Sequence, residues 1–575
     1  MIAAAVVAAL ALAACDSESA DVPPVGISAG ARGSEAIDPD REAPAAPIEG
    51  AAAGGTVTVL VPFEASVLSL WYPSGIYFAT PNAILSGLVT RSLTQYVYDP
   101  TSGSMVLVPD IATDLGTPNA DFTEWTHTIR DGVKFEDGTE VTADHVAFGI
   151  KRSFDRAAFP LGPRYSNDYF LDGEDYNGPY STGTHYSGIV VEGDKLILKM
   201  TRSFPDMPYY AAFPQMGPVP EQGSNPATYW RHPLATGPYR YAASAPEGSL
   251  LTLVRNEHWD PDTDPGRHAY PDRYKFRFSV PEKRIPATIL GDSEQAQTTL
   301  SIQSVYGVDY RKAEQLDRLT VGSSPCTHTW WPDYRKLTDI RMRQAIGYAY
   351  PYRLNENLYG DIPGTTVVYG TSILPPGIPG RQDYTVQETT PGDTDPDKAK
   401  ELLREAGWAP GEYELTWPYD ESDPFAVDET RVITKALEAA GFKARPLGFA
   451  SDDDFEQANN DPDGPFNVRI GIGWCSDWPS GGSWFPHLLH SEGEENLGYF
   501  DEPTVDAEIE RIGQLPIEEQ PAEWSTLDKS IMTDYYPAIT TYYNGAAIPH
   551  GARIGGMNVD DVNGEPTWKD IFVMR

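Results

Sequence analysis

Residues 471–481, GIGWCSDWPSG, place one acid between two tryptophans and close to a cysteine. Asp477 follows a run that is apolar like a buried strand, with Trp474 three positions before it and Trp478 directly after it. A carboxylate in such surroundings can hold a cation through a charge-assisted hydrogen bond. The competing interpretation is an ordinary turn acid at the surface, in front of Trp478-Pro479.

The backbone of this run suggests a second kind of contact. If the run is a strand, Gly473, Cys475 and Asp477 share one face, while Trp474 and Ser476 share the other. Gly473 has no side chain, so another backbone can approach it closely. The neighbouring amides and carbonyls can then pair with an extended chain by strand addition. We therefore expect a strand edge that binds an extended chain and ends at Asp477.

The sequence carries no complete motif for nucleotide binding. GIGWCS contains G-x-G without the third glycine of a dinucleotide fingerprint, and G-x-x-x-x-G-K-[ST] does not occur. No Ser/His/Asp set stands out as a catalytic triad. His487 and His490, followed by Glu492, have metal-ligand spacing, but an isolated pair of this kind is usually incidental. We expect no enzymatic activity, no cofactor and no resident metal.

Local patterns predict the elements that must position this segment. Residues 54–63, GGTVTVLVPF, alternate Thr and Val as a strand does. Residues 124–155 read as strand, turn, short strand and helix, with Thr142 as the helix cap. Residues 395–408, DPDKAKELLREAGW, predict a helix that Asp395 caps. A strand, a helix and another strand follow, which indicates an α/β lobe.

Length and charge limit the class of protein. The chain has 575 residues, which is too long for one compact domain and indicates two or three lobes. Its 83 acidic and 43 basic residues give a net charge of −40. This charge disfavours nucleic acid or an anionic membrane surface as a partner.

The N-terminal residues are typical of an exported protein. Residues 1–15 are apolar up to Cys15, too short for a membrane span and similar to the apolar core of a secretory signal. Leu12-Ala13-Ala14-Cys15 resembles a bacterial lipobox, whose cysteine receives a lipid; the alternative is a cleaved signal with an incidental cysteine. Residues 16–54 lack aromatic residues and are rich in Ala, Pro, Gly, Ser and acids, so we expect a disordered tether.

The cysteine count fits export. The chain has three cysteines, and if Cys15 carries lipid, Cys326 and Cys475 remain. In an oxidising compartment such a pair commonly forms a disulfide. Two free buried thiols are the alternative.

Six stretches of the chain resemble the bacterial dipeptide- and oligopeptide-binding proteins of ABC importers, solute-binding family 5. They are WTHTIRDGVKFEDGTEVTADHVAF (125–148), ATGPYRY (235–241), LVRNEHWD (253–260), LTDIRMRQAIGYAY (337–350), DPDKAKELLREAGW (395–408) and GWCSDWPSG (473–481). They follow the order of the family across residues 55–575. One departure is VLSLWYPSG (67–75), which has no acid where the family usually carries a Leu-Asp-Pro step.

The resemblance implies an α/β fold of the type II periplasmic-binding-protein kind, with two lobes and an extra domain around a cleft that closes by hinge motion. The implied parts are a lipoprotein signal peptide (1–15), a tether (16–54), a lobe I core (55–95, 236–322 and 541–575), an extension of lobe I (96–235) and lobe II (323–540).

The resemblance also implies a ligand site. In peptide-binding members, the aspartate at the position of Asp477 takes the amino group of the peptide. A Cys326–Cys475 disulfide is implied beside this site. The residues implied at the ligand are Asp477, Gly473, Trp474, Cys475, Trp478, Tyr542, Tyr543 and Trp330. Core packing explains the aromatic members of this set about as well.

The function implied is capture of oligopeptides outside the cytoplasmic membrane by a lipid-anchored monomer, with delivery to an ABC permease and its ATPase. A second interpretation keeps the fold and changes the ligand to an oligosaccharide or another non-peptide solute. A third is an envelope lipoprotein of glycolipid or cell-wall assembly. A secreted hydrolase has the least support.

Overall fold

The computed structural model describes residues 37–65, 72–243, 249–471 and 473–575. The predicted signal peptide, Cys15, the first part of the tether and residues 67–71 of the segment without the acid lie outside these ranges. The strands, in chain order, are β1 (Thr56–Leu60), β2 (Thr94–Asp99), β3 (Ser104–Pro109), β4 (Thr117–Pro118), β5 (Glu124–Thr128), β6 (Ile189–Glu192), β7 (Lys195–Lys199), β8 (Tyr239–Tyr241), β9 (Leu250–Arg255), β10 (Arg273–Arg277), β11 (Thr299–Ser301), β12 (Leu319–Pro332), β13 (Val367–Tyr369), β14 (Glu414–Asp420), β15 (Lys443–Phe449), β16 (Val468–Gly471), β17 (Ile539–Pro549), β18 (Ile554–Gly555), β19 (Val559–Asp560), β20 (Glu565–Pro566) and β21 (Phe572–Val573).

The α-helices connect and cover these strands. They are α1 (Ala79–Ile84), α2 (Ala143–Arg152), α3 (Tyr165–Tyr169), α4 (Gly178–Ser181), α5 (Met207–Tyr210), α6 (Arg284–Ile289), α7 (Gly307–Gln315), α8 (Ile340–Ala349), α9 (Leu354–Tyr359), α10 (Pro396–Glu405), α11 (Pro424–Ala439), α12 (Asp452–Asn459), α13 (Phe485–Leu488), α14 (Pro503–Ile512) and α15 (Gln520–Asp534). Within the described residues, no helix is both long enough and apolar enough to cross a lipid bilayer.

A five-stranded sheet organises the body that we call lobe I. Its strand order is β11-β1-β10-β9-β8, and β1 runs parallel to both of its neighbours. The alternating Thr and Val residues of β1 confirm the predicted strand, because Val57 and Val59 are fully buried. They pack with Phe276 and Leu300 of the same sheet and with Trp568 from the C-terminal part of the chain.

A four-stranded antiparallel sheet, β4-β5-β7-β6, organises the extension domain. Helix α2 begins after Thr142, which caps it as predicted in a reciprocal capping box with His145. Its buried face carries Val146 and Ile150 into an aromatic core that includes Phe154.

Lobe II contains the sheet β13-β17-β12-β16 and the parallel pair β14-β15. Helix α10 confirms the predicted helix, and the Asp395 side chain accepts hydrogen bonds from the amides of Asp397 and Lys398 at its first turn. The core of this lobe is built around Trp330, Trp417 and neighbouring apolar side chains.

Two long strands run between lobe I and lobe II. β12 and β17 pair antiparallel from Leu319 opposite Pro549 to Trp330 opposite Ile539. Ala547 lies in a hydrophobic cluster with residues of lobe I, whereas Trp330 and Ile539 lie in the lobe II core. This ribbon therefore joins the two bodies at the point where a hinge would act.

The prediction that residues 16–54 form a disordered tether is wrong for residues 37–54. The amide of Asp38 donates to the carbonyl of Leu107, and the amide of Ala45 donates to the carbonyl of Asp264. The amide of Gly54 donates to the carbonyl of Tyr270. Composition alone missed this segment because its order comes from backbone hydrogen bonds to the folded body rather than from a core of its own.

Candidate ligand-binding site

The segment that carries Asp477 is held against strand β12. The amide of Thr327 donates to the carbonyl of Trp474 at 2.9 Å, and the amide of Ser476 donates to the carbonyl of Pro325 at 2.9 Å. Between these bonds Cys326 and Cys475 form the predicted disulfide. The segment is therefore fixed to the interlobe ribbon by both backbone pairing and a covalent link.

Position 473 requires glycine because another backbone segment approaches it closely. That segment is strand β12 of the same chain and not a ligand. A Cβ atom at position 473 would lie 1.1 Å from the carbonyl oxygen of Thr327. The predicted space for a ligand strand at this glycine is thus filled by β12. We remove Gly473 from the set of ligand-contacting residues and assign it a packing role.

Asp477 lies where three parts of the molecule meet. Its carboxylate accepts a hydrogen bond from the Tyr77 hydroxyl of lobe I at 3.1 Å, and another from the Tyr165 hydroxyl of the extension domain. Burial raises the pKa of Asp477 to about 7, although the two hydroxyl donors act to lower it. Among the described residues, no lysine, arginine or histidine forms an ion pair with this carboxylate.

An imidazole completes the surroundings of Asp477. The His487 Nε2 atom lies 3.3 Å from the Tyr165 hydroxyl, and the ring stacks on Trp474 with centroids 5.3 Å apart. Burial, with a smaller contribution from Arg202, lowers the pKa of His487 to about 4. The imidazole is therefore neutral at pH 7 and supplies no positive charge to the carboxylate.

Asp477 also lines a partly open cavity against lobe I. The cavity has about 630 Å³ of empty space, open solvent included. Its other polar walls come mainly from lobe I and include Asn82, Gln95, Asp560 and Asn563. The acid predicted from the sequence thus faces a polar space between the bodies.

Of the next four predicted site residues, three are at least partly accessible and one, Trp478, is buried. Cys475 is exposed, Trp474 is half-buried, and Tyr542 is half-buried with its ring stacked on His328 at 4.1 Å. Trp478 is 1% exposed and packs into the aromatic core of the extension domain, so it joins the two bodies rather than forming a pocket wall.

Two further aromatic residues predicted at the ligand are buried in the described structure. Trp330 packs in the lobe II core against Tyr350 and Trp417. Tyr543 is fully buried, and its hydroxyl is engaged by the backbone of Ser372 as both acceptor and donor. Both side chains serve packing, which is the alternative that the sequence left open.

Sequence reasoning missed the groups that contact Asp477. Tyr77 and Tyr165 are 400 and 312 positions away from it in the chain. The spacing of His487 and His490 in the sequence suggests only a metal ligand and not a contact with Tyr165. Neither tyrosine lies in a motif, so only the way the three bodies pack together could have identified them.

The family is shown by comparison with known proteins. Residues 106–496 match the family described as "Bacterial extracellular solute-binding proteins, family 5 Middle". The chain therefore belongs to this family of extracytoplasmic binding proteins, and the predicted two-lobe α/β fold class is confirmed.

Individual relatives agree in sequence and in fold. "Probable peptide-binding protein YejA" of Agrobacterium fabrum is 22% identical over 490 residues, which cover 74% of this chain and 75% of that protein. The structure of clavulanic acid biosynthesis oligopeptide binding protein 2 aligns with a TM-score of 0.81 at 22% identity, over 95% of this chain and 99% of that one. The Escherichia coli murein tripeptide binding protein MppA aligns with a TM-score of 0.67 at 18% identity, over 92% and 100%.

Proposed function

We propose that this protein captures oligopeptides between its lobes and delivers them to an ABC permease driven by a separate ATPase. The observation that carries the proposal is Asp477, a carboxylate at the junction of three bodies whose described partners are hydroxyl groups only. A peptide amino group supplies the positive charge that this carboxylate lacks.

The energetics favour closure around an ammonium ion. A carboxylate buried without a cation is costly, and the elevated pKa of Asp477 reflects that cost. A charge-assisted bond to an ammonium group offsets it and is stronger than a neutral hydrogen bond. A ligand with a free amino group therefore binds the closed arrangement better than the open one, which is the requirement for ligand-driven closure.

Backbone recognition explains how varied peptides can share one site. Cys475 is exposed, and the hydrogen bonds of its neighbours Trp474 and Ser476 run to β12 on one edge of the segment. The opposite edge is then the place for an extended peptide to add as a strand, with no demand on its side chains. Tyr542 and Trp474 remain the proposed contacts for ligand side chains.

The names of the relatives support a peptide ligand. The proteins reported above are described as binding peptides, oligopeptides or murein tripeptide. No contact of the described residues favours an oligosaccharide or a role in glycolipid assembly over a peptide.

We also propose the cellular setting and the moving parts. Lipid on Cys15 would anchor a monomer outside the cytoplasmic membrane, on the strength of the lipobox-like sequence. Lobe I would comprise residues 55–95, 236–322 and 541–575, the extension residues 96–235 and lobe II residues 323–540. The separate hydrophobic clusters of the three bodies support this division.

The test compares peptides that differ only at the amino terminus. Native mass spectrometry against a synthetic library of tri- to hexapeptides selects the best binder, and calorimetry compares it with its N-acetylated form. We expect at least tenfold weaker binding after acetylation or in Asp477→Ala, and no change in Asp452→Asn, an exposed acid of lobe II. Equal affinity of the two peptides would refute the role of Asp477, and a library without binders would refute the peptide ligand.

A further inference from the structure

Trp478 is a lobe II residue that is buried in the extension domain. Its ring centroid lies 4.7 Å from that of Tyr165, and 6.2 Å from those of Phe204 and Phe213. All three partners belong to the core of the extension domain. Trp478, which directly follows the proposed ligand carboxylate Asp477, thus anchors lobe II in the extension domain.

A carboxylate of the extension domain holds Trp478 in place. The Trp478 Nε1 atom donates to Asp206 Oδ2 at 2.7 Å, and the Gln520 Nε2 atom of lobe II donates to Asp206 Oδ1 at 3.1 Å. Asp206, Trp478 and Gln520 are each at most 5% exposed. Each oxygen of the carboxylate therefore takes a donor from the opposite body.

On the lobe II side of this contact, Gln520 is held in place by hydrogen bonds within lobe II. Gln520 Oε1 accepts hydrogen bonds from Ser480 Oγ at 3.2 Å and from Trp524 Nε1 at 3.0 Å. These bonds orient the amide so that its nitrogen faces Asp206. The backbone also approaches closely, because a Cβ atom at Gly482 would lie 2.6 Å from Asp206 Oδ2.

We propose that Asp206 is a positioning residue for ligand capture, which latches lobe II to the extension domain through Trp478 and Gln520 and so fixes Asp477 at the site. The latch consists of protein groups alone, so it acts with or without a ligand. The inference deepens the proposed function, because a latch beside the ligand carboxylate would set the lifetime of a captured peptide.

The opposing energies at this contact favour a latch that can open over a permanent attachment. Two N–H donors and a ring in an aromatic core stabilise the closed arrangement. Burial of Asp206 without a cation opposes it, and this burial raises the pKa of Asp206 to about 6. The titratable groups that sense its charge, Tyr96 and Tyr169, carry no positive charge. Opening returns the carboxylate to water and removes this desolvation cost.

The test removes single groups from the latch. Trp478→Phe keeps a ring in the core but deletes the N–H that donates to Asp206. Gly482→Ala keeps every polar group but adds a methyl that displaces the Asp206 carboxylate. Trp417→Phe is the matched control, because it makes the same substitution at a fully buried tryptophan of the lobe II core whose indole N–H has no hydrogen-bond partner among the described residues.

Two readouts separate the latch from a merely structural role. In small-angle X-ray scattering of the ligand-free protein, we expect a larger radius of gyration for Trp478→Phe and Gly482→Ala than for the wild type and Trp417→Phe. In displacement kinetics with the best library peptide, labelled at its C terminus, we expect about tenfold faster dissociation from the two latch variants, equivalent to about 1.4 kcal/mol.

Failure of the latch proposal can be distinguished from failure of the proposed function. If no peptide binds, the proposed function fails, while the scattering measurement still decides the latch. An unchanged radius of gyration in both latch variants would overturn the latch. If their dissociation rates equal that of Trp417→Phe, Asp206 has no positioning role for the ligand.

Discussion

Opposing effects act on the carboxyl group of Asp477. Burial raises its pKa to about 7, while the hydroxyls of Tyr165 and Tyr77 pull in the other direction without restoring the usual value. The residue was predictable because it lies in a compact motif beside Cys475 and Trp478. Its partners were not, since a contact across 400 positions depends on how three bodies pack and leaves no local pattern.

Peptide binding should release protons below neutral pH. The carboxyl must be ionised to pair with an ammonium group, and with a pKa of about 7 it is largely protonated at pH 6. We expect affinity for a free-amino peptide to rise from pH 5 to about pH 7 and then level off, until the peptide amino group itself loses its proton. Calorimetry at pH 6 in two buffers of different ionisation enthalpy measures the release. If Asp477→Asn releases as many protons as the wild type, another group is responsible.

Replacing the same carboxyl with a neutral amide should stabilise the ligand-free protein. A carboxyl whose pKa is raised in the folded state destabilises it progressively as pH rises from about 4 to about 7, and by a constant amount above that. We expect Asp477→Asn to gain about 2 kcal/mol at pH 8, roughly half of what the full shift would give, because the residue is partly exposed. The gain should vanish below about pH 4, as followed by thermal unfolding across pH. Asp452→Asn, which changes an exposed acid, should show no such pattern.

Helices with local signals could be predicted at the scale of the element. Asp395 at the cap of α10 and the capping box at the start of α2 act within four residues, so the sequence carries the whole signal. The ribbon of β12 and β17 could not be derived in this way. Its register links Leu319 to Pro549 and is set by tertiary packing between two bodies. The role of Gly473 was misjudged for the same reason, since its neighbour Thr327 is remote in sequence.

The disulfide should support both the ribbon and the ligand segment. Cys326 and Cys475 are 149 residues apart, so the link closes a long loop and restricts the unfolded chain, by up to about 5 kcal/mol on the loop-closure estimate. We expect the double variant Cys326→Ser, Cys475→Ser to unfold at a lower temperature and to bind peptide more weakly than the wild type, because the Asp477 segment loses its covalent anchor. Differential scanning calorimetry and titration measure the two effects. If stability falls but affinity is unchanged, the backbone bonds to β12 suffice to position the segment.

The division of the whole molecule is visible in its cores. Lobe I, the extension domain and lobe II each have a separate hydrophobic cluster, and Trp478 is a lobe II side chain buried in the cluster of the extension. The order of the family-like stretches was enough to predict two lobes and an extra domain. The interface contacts could not be predicted from local patterns, because Asp206, Trp478 and Gln520 lie in three separate segments without a shared motif.

Residues 37–54 should stabilise the folded protein, because they contact both the extension domain and lobe I. Asp38 bonds to Leu107 of the extension core, whereas Ala45 and Gly54 bond to Asp264 and Tyr270 of lobe I. We expect a protein that starts at Gly54 to unfold at a lower temperature than one that starts at Ile37, because the hydrogen bonds of Asp38 and Ala45 and the packing of Ile37 are lost. Amide hydrogen exchange should localise the loss of protection to β3 and to the residues around 264–270. Identical melting temperatures and exchange for the two proteins would show that the segment lies against the body without stabilising it.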